Sequence, residues 1–276
     1  MRSIAIMNQK GGVGKTTTAV NLCAALAEAG QRVCLVDLDP QAHASLHLGV
    51  AAGDGEPSIY DVLSGEAAIR DVRQQTAERL WIVPSHIDLA AAELELAGEV
   101  GRELILRDRL AEDPLELDYL LVDCPPSLGL LTLNALAAVG EGMLPLQPQF
   151  LALHGLSKLL RTIEVVSRRL NERLRLAGVI LCMYESATRL AAEVSHDVNE
   201  FFNRPQDPAC PWSGAGLLKT RIRRNIRLAE APSFGQSIFQ YAPQSHGAED
   251  YHQLAREVLG LPLEEPMSAV VARSGV

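Results

Sequence analysis

Short apolar runs alternate with longer stretches whose apolar positions recur at helical spacing, and the alternation persists along most of the chain. Residues 3–8, 32–37, 80–84, 119–123, 143–147 and 177–183 read as strands, several with apolar side chains at consecutive positions. A strand apolar on both faces is covered on both faces, as in a parallel sheet between helices. The segments 16–29, 87–97, 102–111, 129–139 and 153–170 are long enough to be crossover helices. The pattern predicts an α/β fold with a doubly wound, mostly parallel sheet flanked by helices, and ligands at the carboxyl ends of the strands. Residues 1–260 are expected to form one domain. Two stretches break the alternation. Residues 203–216 (NRPQDPACPWSGAG) carry three Pro and read as an irregular loop, and 261–276 read as a loosely ordered tail.

Composition narrows the class. With 47% hydrophobic and 21% charged residues, the chain is globular rather than disordered. No apolar stretch reaches the length of a membrane span and no signal-peptide pattern follows Met1, so a cytoplasmic protein is expected. Cys23, Cys34, Cys124, Cys182 and Cys210 are scattered, without metal-ligand spacing, and read as reduced, mostly buried thiols. A net charge of −9 argues against a surface basic all over, but it averages away any local patch. Aromatic residues, at 4%, are too few to grip single strands by stacking, so any nucleic-acid contact is expected with a duplex backbone. The seven His residues are dispersed, form no triad or metal signature, and read as surface or capping groups.

The chemistry concentrates in three places. Gln9 to Thr18 (QKGGVGKTTT) lies between the first strand and the first helix. There, glycines let consecutive amides curl around an anion and the helix N-terminus adds its positive end. In such a loop Gly11, Gly12, Val13, Gly14 and Thr17 cradle phosphates, Lys15 reaches the β/γ-phosphates and the Thr16 hydroxyl meets Mg²⁺. The common pattern has Gly where this chain has Gln9, and a second lysine, Lys10, follows it. At the end of the second strand, Asp37-Leu38-Asp39-Pro40-Gln41 places two carboxylates at the edge where catalytic groups sit. Asp37 reads as a loop brace. Asp39 reads as a catalytic group, with helix N-capping before Pro40 as the structural alternative. The apolar run ending in Asp123 (YLLVDCPPS) is a Walker B arrangement, its carboxylate holding Mg²⁺ through a water.

The run KGGVGKTTT resembles the deviant Walker A motif of the ParA/MinD group of P-loop ATPases. Further similarity lies in 37–41, 123–136, 151–160, 224–235 and 245–258, and it is most specific to the short Soj-type ParA proteins. The resemblance implies ATP and ADP as nucleotides and a homodimer when ATP is bound, with Lys10 crossing to contact the partner's nucleotide. It also implies non-specific binding to double-stranded nucleoid DNA, and a ParB-like partner that stimulates slow hydrolysis during chromosome or plasmid partitioning. It places Arg223 and Asn225 by the nucleotide and implies a DNA-contacting arginine at Arg227. Because the chain opens on its first strand, no helix-turn-helix domain and no operator-specific repression are expected.

The run from Lys219 to Arg227 holds five cations and no carboxylate within an acidic protein. Lys219, Arg221, Arg224 and Arg227 are therefore the expected contacts to DNA phosphate, against a solvated charged loop as the alternative. A second cluster, Arg161, Arg168, Arg169, Arg173 and Arg175, is tempered by Glu164 and Glu172 and reads as a solvated helix face. Other readings are a positioner of protein cargo on the nucleoid, a MinD-like membrane-associated ATPase, a nucleotide switch without turnover, and a reductase resembling the nitrogenase iron protein. The membrane reading lacks a basic amphipathic C-terminal helix, and the reductase reading lacks a companion for Cys124.

Overall fold

The computed structural model describes residues 1–53, 55–150 and 152–264. One sheet contains β1 (Arg2–Ile6), β2 (Val33–Asp37), β3 (Gln74–Ala77), β4 (Leu80–Val83), β5 (Tyr119–Asp123), β6 (Glu141–Leu146), β7 (Arg175–Tyr184) and β8 (Leu217–Arg223), in the order β3-β4-β2-β5-β1-β6-β7-β8. Every neighbouring pair is parallel except the β3–β4 hairpin. The described helices are α1 (Lys15–Glu28), α2 (His43–His47), α3 (Ile59–Ser64), α4 (Ile69–Val72), α5 (Leu89–Glu95), α6 (Ile105–Ala111), α7 (Leu130–Ala138), α8 (Ala152–Arg169), α9 (Arg189–Asn203), α10 (Ile226–Glu230), α11 (Ile238–Tyr241) and α12 (His246–Val258).

The doubly wound α/β expectation holds. β2 and β5 are buried at every position, which is why their sequences are apolar without alternation. One core joins the sheet to residues of α3 through α9, and a second joins its other face to α1, α10, α11 and α12. α1 is buried nearly all round and uses small side chains, Ala19, Ala24 and Ala25 among them, to lie close on the strands.

Several elements escaped the apolar pattern. β3 is a polar edge strand with Gln74 and Gln75 exposed. β8 runs through the basic segment, where only Thr220 and Ile222 are buried. Its outer edge is closed by carboxylates of α12: the Lys219 and Thr220 amides donate to Glu257 at 2.7 and 2.8 Å, and the Arg223 amide donates to Asp250 at 2.8 Å. An edge strand whose amides are already satisfied does not template another chain.

The irregular 203–216 stretch begins one residue later than expected, since Asn203 ends α9. It follows β7 where β8 does not reach, its Pro211 and Gly216 carbonyls accepting from the Leu176 and Val179 amides at 2.8 and 2.9 Å. Of the expected tail, 265–276 lie outside the described residues. The preceding piece is tied to α12, with Gln253 and Glu264 exchanging two hydrogen bonds and Arg256 pairing with Glu264 at 2.7 Å.

Candidate nucleotide site

Strand register assembles the site. Ile6 of β1 lies beside Asp123 of β5, and Asp123 lies beside Asp37 of β2, so three strands finish level at one edge. From β1 the chain turns through the glycine-rich loop into α1. Gly12 and Gly14 adopt φ of 71° and 92°, a left-handed conformation that a side chain disfavours. Gly14 caps α1 without a side-chain acceptor, so the first amides of the helix stay available to an anion.

A cavity of about 380 Å³ opens there, lined by Gly11, Gly12, Lys15, Thr16, Asp39 and Met183 among others. Lys15 is nearly buried, and its Nζ donates to the Lys10 carbonyl at 3.3 Å. Burial lowers the Lys15 pKa, while the Asp123 and Asp39 charges work to raise it. Asp123 is fully buried, and neither of its carboxylate oxygens completes a close hydrogen bond with a described residue, although the Thr16 hydroxyl lies beside it. Burial lifts its pKa well above the usual carboxylate range and neighbouring Asp37 adds to this, whereas the Thr16 hydroxyl and the Lys15 ammonium pull it down.

Asp37 is equally buried but well held. It accepts from the Ser45 amide and hydroxyl at 2.8 and 2.7 Å and from the Asp39 amide at 3.2 Å. Burial nonetheless pushes its pKa up to about 6. The contrast matters: Asp37 braces the loop, whereas Asp123 is a carboxylate awaiting a partner. Unpartnered buried charge is among the costliest arrangements in a fold. A carboxylate and a hydroxyl together make a hard-oxygen donor set that suits Mg²⁺.

Asp39 does not cap a helix. Its Oδ1 accepts from the Gln41 amide at 3.0 Å in a turn, and α2 begins only at His43, after Ala42 in a left-handed conformation with φ of 52°. The N-capping alternative is thereby removed. Met183 has a φ of 51°, so two of the described non-glycine residues with left-handed backbones flank this site.

Lys10 sits on the rim. Its side chain hydrogen-bonds Gln149, in the loop after β6, and it is not part of the lining of the cavity. Val13 is buried under the loop and can offer only its backbone. Thr17 and Gly14 border a second, more apolar cavity of about 410 Å³ that extends to Cys182, Asn225 and Tyr251. The two cavities share Gly14, Thr17 and Met183, making one trough with a polar and an apolar end. A larger cavity, about 550 Å³, lies between the end of α1 and the β3–β4 hairpin and contains none of the expected site residues.

At the apolar end, Asn225 caps α10 by accepting from the Arg227 amide at 2.8 Å. Arg223 also borders this end. Its guanidinium is engaged by Asp250, at 2.5 and 2.9 Å, and by Glu249 at 2.7 Å, so only the rest of the residue borders the trough. Asp250 is buried and requires that cation.

The basic run also changes in three dimensions. Arg224 pairs with Glu185 at 2.6 Å and Arg227 with Glu230 at 2.8 Å. The carboxylates absent from the local sequence are supplied mostly by other elements. Lys219 and Arg221 have no carboxylate partner among the described residues; Arg221 lies 5.2 Å over the Tyr184 ring. One histidine departs from its surface reading. His47 is buried and its pKa falls to about 4, mainly through burial, whereas His43 is exposed at the border of the polar cavity. The described cysteines are all free, and four are buried.

With this geometry in place, comparison with known proteins gives a consistent answer. A family model described as an AAA domain matches residues 1–176. The sporulation initiation inhibitor protein Soj of Bacillus subtilis is 46% identical over 92% of this chain and 97% of its own. The chromosome-partitioning ATPase Soj of Treponema pallidum is 44% identical over 94% of this chain and 97% of its own. Among solved structures, cobyrinic acid a,c-diamide synthase from Mycobacterium smegmatis, with bound ADP and magnesium, is 35% identical with a TM-score of 0.79, covering 96% of this chain and all of that one. A phosphate loop, two strand-edge carboxylates and near full-length similarity converge: the chain belongs to the Soj/ParA family of P-loop ATPases that includes chromosome-partitioning proteins.

Proposed function

We propose that this protein is a Mg²⁺-dependent ATPase that dimerises around ATP, holds duplex DNA non-specifically in that state, and is released when a ParB-like partner stimulates hydrolysis. The partner would define the cargo, a chromosome or plasmid in this reading. The single observation that carries the reading is Asp123, a buried carboxylate that completes no close hydrogen bond among the described residues, set beside Thr16 and Lys15 at the mouth of the phosphate loop. Thr16 and Asp123 are the residues suited to hold Mg²⁺, the latter through a water. Held by these two residues, the ion would supply positive charge against the triphosphate.

The rest is the chain's own work. Loop amides from Gly11 to Thr17 grip the phosphates, and Lys15 brings a desolvated ammonium to the β/γ bridge. A cation in such a site acts more strongly than in water because little solvent screens it. Asp39 uses one oxygen to hold its turn and leaves the other to orient the attacking water. The apolar end of the trough takes the base, beside Asn225 and Tyr251. Lys10, outside its own cavity, is placed to reach a partner's triphosphate once it leaves Gln149.

DNA retention depends on the basic surface. Replacing Lys219 and Arg221 together by Ala should abolish retention on random-sequence duplex at 150 mM salt while leaving nucleotide binding intact. The log–log salt slope should become shallower by roughly 1.8, at about 0.9 for each phosphate no longer neutralised. Retention and slope unchanged from the parent protein would contradict the assignment.

A further inference from the structure

We infer that Glu185 and Glu230 are internal competitors for DNA phosphate, which hold Arg224 and Arg227 until a duplex displaces them and so set the affinity of the basic surface. The inference rests on the DNA-binding reading above. β7 and β8 are parallel with Tyr184 beside Arg223, so the loops that follow them leave the sheet together. The Arg224 amide donates to the Tyr184 carbonyl at 3.3 Å, and its Nε reaches Glu185 at 2.6 Å. On α10, Arg227 meets Glu230 at 2.8 Å, and the Tyr241 hydroxyl donates to the same carboxylate at 2.9 Å. Those two bonds, the Tyr241 one first, hold the Glu230 carboxyl below its ordinary range.

Exposure separates these pairs from the neighbouring one. The side chains of Arg224 and Glu185 are 64% and 48% exposed, and those of Arg227 and Glu230 are 54% and 36% exposed. Asp250, which holds Arg223, is only 8% exposed and also accepts the Arg223 amide. The five cations therefore fall into three states: Arg223 locked in the fold, Arg224 and Arg227 latched at the surface, and Lys219 and the half-buried Arg221 without a carboxylate partner among the described residues. Exposed ion pairs are weak, so a dense row of phosphates can displace the two latches. The latches still matter, because a carboxylate left beside the arginine offsets its charge, so fewer of the cations condensed on the DNA are released when it meets phosphate.

The test uses the full chain with Mg²⁺ and a non-hydrolysable ATP analogue, titrated into fluorescent random-sequence duplex between 50 and 200 mM salt. Glu185→Gln and Glu230→Gln should each tighten binding roughly 3–10-fold and steepen the log–log slope by up to about 0.9. In an Arg224→Ala background, the gain from Glu185→Gln should vanish. Glu172→Gln removes the same charge before β7 begins, at the opposite edge of the sheet, and should leave affinity unchanged. ATP hydrolysis without DNA should match the parent in both glutamine variants. Unchanged or weaker binding in both, an equal gain from Glu172→Gln, or a gain that survives Arg224→Ala would overturn the latch. Failure of the unsubstituted protein to bind duplex at 50 mM salt overturns the DNA reading itself, and the latch with it.

Discussion

Lys15→Ala should lower ATP hydrolysis by roughly two to three orders of magnitude, the usual loss when one preorganised charge is removed from a phosphoryl or acyl transfer site. The size follows from the environment. Lys15 is nearly buried, and its pKa is depressed by that burial while Asp123 and Asp39 oppose the shift. A flexible surface lysine could be replaced by solvent cations; this one has no such substitute. Because burial outweighs the pull of Asp123 and Asp39 on this ammonium, its removal should leave the nucleotide-free fold no less stable at neutral pH. Steady-state hydrolysis and thermal melts at pH 5 and pH 7.5 check both halves. Activity within a few-fold of the parent would remove Lys15 from the proposed role.

Asp123→Asn should separate stability from function. In the nucleotide-free protein the substitution should stabilise the fold by about 1–3 kcal/mol, because it removes a buried carboxyl group whose ionisation the fold opposes. For a chain of this size, that corresponds to a rise of roughly 2–8 °C in Tm. Mg²⁺-dependent hydrolysis should fall by about two orders of magnitude or more. The pH dependence has a definite sign. Asp123 and Asp37 both have raised pKa values in the folded state, so the fold binds their protons more tightly than the unfolded chain does. Their favourable contribution is complete below the unfolded value near 4 and is lost as pH rises toward the folded values. For Asp37 the loss spans pH 4 to about 6, and Asp123 loses its contribution in the same direction. Asp123→Asn should therefore flatten the decline of stability with rising pH. A lower Tm for the nucleotide-free variant, or persisting Mg²⁺-dependent turnover, would contradict the role given to this carboxylate.

The central machinery was legible because it is local. Consecutive apolar residues ending in Asp37 and Asp123 announce buried parallel strands with a carboxylate at the rim, and Gly12 and Gly14 announce the backbone turn the loop adopts. What the sequence concealed depends on distant partners. Five cations from Lys219 to Arg227 read as an open basic surface, yet Arg223 finds Asp250 27 residues on, and Arg224 finds Glu185 across the neighbouring strand end. Charge partners of that kind are chosen by tertiary packing, which leaves no local pattern. β8 was hidden for a related reason: cations occupy its exposed positions, and only Thr220 and Ile222 mark the inward face. His47 read as polar and dispersed, but α2 packs it out of solvent. Lys10 is a mixed case, since its motif is plain in the sequence while its resting contact with Gln149 belongs to the fold.

The most direct test joins nucleotide, assembly and DNA in one measurement: light scattering of the purified chain with Mg²⁺ and a non-hydrolysable ATP analogue, with and without a short duplex, for the parent and for Lys10→Ala. The parent should shift from monomer to dimer with the analogue and should bind duplex only in that form. Lys10→Ala should remain monomeric and off the DNA although it still binds nucleotide. A parent protein that stays monomeric at every concentration, or a Lys10→Ala variant that dimerises as readily as the parent, would contradict the mechanism.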